Sequence, residues 1–209
     1  MLNNLRCLLG PLLERMGRGF AATGRSPNFW TGLGLVLAVA AAAAYGLGPH
    51  LGLEQRTLGD LDFIRSFSGY GLLLGGALLL ASGFFDVVDG QVARITKRTS
   101  RKGSYLDSVS DKIAESAVFV GIAVGGYAEP WLVVMAAALS LLVGYARAKS
   151  DALGGISMQG VGIGERAERL LVVAIVGGMI GYMEIALAIV VAISAITLAQ
   201  RMASTVRQM

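Results

Sequence analysis

Four aspartates stand at the edges of two apolar segments: Asp86 and Asp89 near the end of one, Asp107 and Asp111 at the start of the next. A carboxylate in or near hydrocarbon is costly unless it is paired, metal-bound or neutral. Asp86 and Asp89 are spaced i, i+3 and Asp107 and Asp111 i, i+4, so each pair lies on one helix face. The segment between them is short and rich in Gly, Ser, Lys and Arg, which predicts neighbouring helices and four converging carboxylates. Oxygen ligands of this kind suit hard divalent cations, Mg²⁺ or Mn²⁺, that also hold phosphate oxygens. Two such ions about 3.5–4 Å apart could clamp a diphosphate. The plainer alternative is four helix-end charges neutralised by nearby Arg and Lys. Gly90, Ala93 and Gly103 flank the cluster and would let a ligand approach the backbone, although small residues also serve helix packing. Arg94 could hold a phosphate as a charged fork or act only as a topology determinant.

The elements that must position these residues are membrane helices. The chain has 209 residues, of which 55% are hydrophobic and 15% charged, with a mean hydropathy of +0.64. Six apolar runs approach the ~20 residues that cross a bilayer: Trp30–Gly48, Tyr70–Val88, Leu106–Gly125, Pro130–Ala148, Leu170–Tyr182 and Ile185–Ala203. The fifth is short and the third begins with aspartates. Residues 1–23 place Leu2, Leu5, Leu9, Leu12, Leu13, Met16 and Phe20 at helical spacing among arginines. That pattern predicts an amphipathic interfacial helix, with a restart at Pro11, or a helix that simply packs on the bundle. The one cysteine, Cys7, excludes an internal disulfide framework.

Charge sets the orientation. Arg6, Arg15, Arg18 and Arg25 precede the first run, and Arg94, Lys97, Arg98, Arg101 and Lys102 separate the second from the third. Arg147, Lys149, Arg166 and Arg169 separate the fourth from the fifth, and Arg201 and Arg207 close the chain. The opposite side holds Arg56 and Arg65 beside Glu54, Asp60 and Asp62. The expectation is one all-α membrane domain over residues 1–209, with six transmembrane helices across 30–203. Both termini and the aspartates then lie at the cytoplasmic face of a cell membrane.

The run D86-V-V-D89-G90-Q-V-A93-R94, followed after eight residues by G103-S-Y-L-D107-S-V-S-D111, resembles the signature of the CDP-alcohol phosphotransferases. The resemblance covers nearly the whole chain, including the span count and the N-terminal helix. It implies that Asp86, Asp89 and Asp107 bind two metal ions, with Asp111 near the second ion and acting as general base. It implies a CDP-lipid site at Gly90, Ala93, Arg94 and Gly103. Asn28 and Thr31, in S26-P27-N28-F-W-T31, match a further family stretch and would touch the nucleotide, or else cap the first span. The implied assembly is a homodimer among membrane lipids, with no nucleic-acid partner. The implied reaction is attack of an acceptor hydroxyl on a CDP-lipid with release of CMP.

The stretches Y145-A-R147-A-K149-S-D151-A-L-G154 and G164-E165-R166-A-E168-R169-L170 resemble the inositol-phosphate branch of that family. Here the two basic types of the first stretch are exchanged and Asp151 stands in place of Glu. A phosphomonoester acceptor needs clustered cations, which Arg147, Lys149, Arg166 and Arg169 would supply. Positive-inside charge explains their sign but not the interleaved Glu165 and Glu168. Inositol 1-phosphate is therefore the expected acceptor and glycerol 3-phosphate its nearest rival. The lipid would be CDP-archaeol or CDP-diacylglycerol, and the exchanged R-A-K order favours the archaeal form. An ion transporter would place its carboxylates near the midplane with an inverted repeat. A prenyltransferase would separate its two Asp clusters widely. The chain shows neither pattern.

Overall fold

The computed structural model describes residues 2–50, 70–97, 100–153 and 161–208. The acidic and basic residues between 51 and 69, together with Arg98 and Gly154, lie outside the described residues. Those described form α-helices: α1 Leu2–Ala21, α2 Pro27–Leu47, α3 Tyr70–Ile95, α4 Arg101–Gly125, α5 Pro130–Ala152, α6 Arg166–Val172 and α7 Met183–Gln208. A π-helical segment, Val173–Met179, continues α6. No strand occurs among the described residues. Among the described residues, four helices (α2, α3, α5 and α7) are long and apolar enough to cross a membrane.

Local signals set the ends. Pro27 and Pro130 open α2 and α5 in the first turn, where a missing N–H costs nothing. Ser100 caps α4, its hydroxyl accepting from the Gly103 N–H at 3.0 Å. Gly126, at φ +67°, closes α4 in the left-handed conformation that glycine adopts cheaply. Pro11 lies inside a continuous α1, so the expected restart there does not occur.

The helices also run past their apolar stretches. The α3 helix continues beyond Val88 to Ile95, and α4 begins five residues before Leu106. Backbone hydrogen bonding carries a helix onward wherever no breaker intervenes, whatever the polarity of its side chains. Asp86 and Asp89 therefore lie well inside α3 rather than at its tip.

Small residues set the packing. A Cβ at Gly121 would collide with the Ala42 carbonyl, and one at Gly75 with the Tyr45 ring. These contacts draw α4 and α3 tightly onto α2, the close approach that glycine permits in apolar bundles. The buried core runs through Ala41, Tyr45, Leu79, Val118, Ile122, Ala174 and Leu187. A second cluster seats α1: Phe20 meets Trp30 edge-on at 5.0 Å, and Trp30 stacks on Phe85 at 5.7 Å. Such aromatic pairs add to plain area burial. Phe85 directly precedes Asp86, so this seat supports the wall of the candidate site.

Candidate active site

The α3 and α4 helices bring their acidic faces together. One carboxylate oxygen from each of Asp86, Asp89 and Asp107 lies within 4.8 Å of the others. Asp89 is buried, and its Oδ2 accepts a 2.6 Å hydrogen bond from the Thr31 hydroxyl of α2. Asp107 keeps Oδ1 buried without a hydrogen-bond partner. A buried orphan acceptor facing two further carboxylates is costly by itself and is relieved by a cation. The residues present thus fit a hard divalent ion.

Asp111 adjoins that triad on the Asp86 side, joined to it through Arg166. Its Oδ1 meets Arg166 Nη1, and the same nitrogen donates to Asp86 Oδ1 at 3.1 Å. Arg166 also buries Nε without a partner, so part of its fork is unspent. A small, partly open recess lies here, lined by Thr31, Ser82, Asp86, Asp89, Asp111 and Arg166. Ser82 is tied back, its hydroxyl donating to the Gly34 carbonyl at 2.8 Å.

The small residues fall into place differently from one another. Gly90 is exposed, and a Cβ there would meet nothing within 4 Å, so helix packing does not explain it. Gly103 sits in the first turn of α4, where a Cβ would lie 3.6 Å from Asn28 Oδ1. This contact sets the start of α2 beside the start of α4. Ala93 is half-buried and Arg94 exposed on the same stretch of α3.

The four cations expected for the acceptor have unlike surroundings. Arg147 and Lys149 are exposed in the last turns of α5, and Arg166 is drawn to the aspartates. Arg169 departs from expectation: it is 1% exposed and bonded to Glu115 at 2.6 Å and to the Gly164 carbonyl at 2.7 Å. A guanidinium with those partners has no face for a ligand, so it is removed from the acceptor set. The interleaved glutamates also receive a local explanation. Glu165 is the N-cap of α6, and Glu168 accepts from the Glu165 N–H at 3.0 Å in a capping box. Glu115, one turn past Asp111, is held by Lys112 at 2.7 Å as well as by Arg169.

Arg201, one of the two cations that close the chain, is 3% exposed and donates to the carbonyls of Val161 and Val143. The available signal was a polar stripe on α7, since Ser194, Thr197 and Arg201 recur at helical spacing and all three are buried.

Residues 26–205 match the family model described as CDP-alcohol phosphatidyltransferase. The archaetidylinositol phosphate synthase of Methanothermobacter thermautotrophicus is 39% identical over 63% of this chain and 69% of its own length. The enzyme of the same name from Pyrococcus horikoshii is 28% identical over 96% and 94%. In three dimensions the chain is similar to Mycobacterium tuberculosis phosphatidylinositol phosphate synthase, solved with CDP-DAG bound. That match has a TM-score of 0.69 and 23% identity over 93% of this chain and 94% of the other. With a family model spanning most of its length, the chain belongs to the CDP-alcohol phosphatidyltransferases, a family of transferases.

Proposed function

We propose that this chain transfers the lipid-phosphoryl group of a CDP-lipid to a hydroxyl of inositol 1-phosphate, releasing CMP and leaving the terminal phosphate on the product. The observation that carries the reading is the Asp86–Asp89–Asp107 triad with Asp111 and Arg166 directly beside it. The names of the archaeal relatives support the acceptor, and archaeol as the lipid, over glycerol 3-phosphate and diacylglycerol.

Asp86, Asp89 and Asp107 would hold Mg²⁺ or Mn²⁺, two ions in all, with Asp111 near the second. Bound there, the metal neutralises diphosphate charge. Thr31 orients Asp89. Asn28, Gly90, Ala93, Arg94 and Gly103 border the CDP moiety, and the open space at Gly90 admits it. Asp111 takes the proton of the acceptor hydroxyl as its oxygen bonds to the lipid-linked phosphorus, and the bond from that phosphorus to CMP breaks. Arg147, Lys149 and Arg166 would receive the acceptor's phosphomonoester. Catalysis is then mostly positioning and charge complementarity.

The same reading makes residues 1–209 one membrane domain with six spans, the third being α4 and the fifth α6 with its π-helical continuation. Both termini and the recess face the cytoplasm, α1 lies along the membrane surface, and two copies pair through the bundle. The Lys and Arg distribution in the sequence supports this orientation.

The test is a transfer assay in detergent with Mg²⁺, labelled inositol 1-phosphate and either CDP-archaeol or CDP-diacylglycerol, beside Asp111→Asn. Label entering lipid with stoichiometric CMP, absent in the variant, is expected, with CDP-archaeol the better donor. CMP release with glycerol 3-phosphate alone would overturn the acceptor assignment.

A further inference from the structure

One turn beyond the reactive pair, the same two helices make a second contact that the chemistry above does not use. Glu115 follows Asp111 by four residues on α4, and Arg169 follows Arg166 by three on α6. Glu115 Oε1 accepts from Arg169 Nη2 at 2.6 Å and from Nε at 3.2 Å. Arg169 Nη1 donates backwards to the Gly164 carbonyl at 2.7 Å. Arg169 thereby holds the chain on both sides of Arg166 and fastens it to α4. Lys112 occupies the other oxygen of Glu115 at 2.7 Å and reaches the Ser140 carbonyl of α5 at 3.4 Å.

Stability alone gives little reason for this arrangement. Buried ion pairs commonly add less than apolar residues of the same volume, whereas their fixed geometry can specify one packing over its neighbours. Here two cations serve one carboxylate in a site where Glu115 is 1% exposed. The need for a fixed geometry is local. The α6 helix has seven residues before its hydrogen bonding changes to the π pattern, so contacts with α4 help to set the register of its first turns.

We infer that Glu115 and Arg169 are positioning residues: their buried contact sets the height of Arg166 beside Asp111 and so tunes capture of the phosphorylated acceptor. This rests on the acceptor reading above for its kinetic consequence, though not for its geometry.

The experiment compares wild type with the double variant Glu115→Met/Arg169→Met and with the milder Glu115→Asp. The double variant removes both charges together and leaves neither one buried alone. The expected result is a KM for inositol 1-phosphate raised ~10- to 100-fold, the scale of disturbed support for a bound group, with the KM for CDP-lipid within about twofold. Phenylglyoxal labelling of Arg166, read by peptide mass spectrometry, should quicken severalfold while Arg147 labelling does not change. A folded double variant with an unchanged acceptor KM, or with both KM values rising together, overturns the inference. If the double variant does not fold, Glu115→Asp decides by the same split. If wild type transfers nothing to inositol 1-phosphate, the functional reading fails and the labelling alone judges the geometry: no change at Arg166 refutes it.

Discussion

The α4 and α6 helices meet through two carboxylate–arginine contacts one helical turn apart. Asp111 and Arg166 leave 25% and 20% of their side chains exposed, whereas Glu115 and Arg169 leave 1% and 2%. Arg169 spends Nε, Nη1 and Nη2 on protein acceptors, while Arg166 keeps Nε without a partner. The residue types are nearly the same, and the surroundings separate their uses. A pair at the edge of a recess can part and exchange partners cheaply. A pair sealed in the bundle cannot, because either charge left alone would be buried and unpaired.

The comparison is broken most directly by removing one acid from each pair. Asp111→Asn should lower transfer by ~10²- to 10⁴-fold, the usual worth of a general base, with the thermal midpoint nearly unchanged. Glu115→Gln should instead cost about 3–5 kcal/mol of stability, seen as a markedly lower midpoint in detergent. Equal midpoints for the two variants would erase the distinction. Thr31→Val withdraws the hydroxyl that orients Asp89 and should weaken Mn²⁺ binding ~10-fold by calorimetry. Undiminished Mn²⁺ affinity would exclude the support assigned to Thr31.

Two glycines sharpen the contrast between site and bundle at smaller scale. Gly121→Ala forces a methyl against the Ala42 carbonyl and should destabilise by about 1–3 kcal/mol. Gly90→Ala meets open space, so helix propensity alone predicts about 0.5–1 kcal/mol of added stability. The same methyl should still raise the KM for CDP-lipid. A Gly90→Ala variant with a lowered midpoint and unaltered KM would make Gly90 a packing residue after all.

Much of this was readable from residue order, and the misreadings have physical causes. The two aspartate pairs were legible because i, i+3 and i, i+4 spacings report a helix face without any knowledge of its neighbours. The Lys112–Glu115 pair is legible by the same rule, being spaced i, i+3 on one helix. Arg169 was not, since membership of a basic stretch says nothing about which side of α6 meets α4. Glu165 and Glu168 were credited to acceptor recognition, although a capping box explains them within four residues of chain. The π-helical continuation of α6 had no sequence signal, because hydropathy does not report hydrogen-bond register.

Spacing, composition and motif determined by themselves that this is an all-helical chain with apolar spans and four acids on two helix faces. Those properties are local, repeating with the helical period or the width of a bilayer. Only the tertiary structure decided that three acids form a triad while the fourth turns to Arg166, and that Arg169 and Arg201 belong to the interior. Each of those outcomes depends on which helices touch and at what height. Contacts between distant segments such as Gly121 with Ala42 and Gly76 with Gly178 set that height, and no local pattern encodes it.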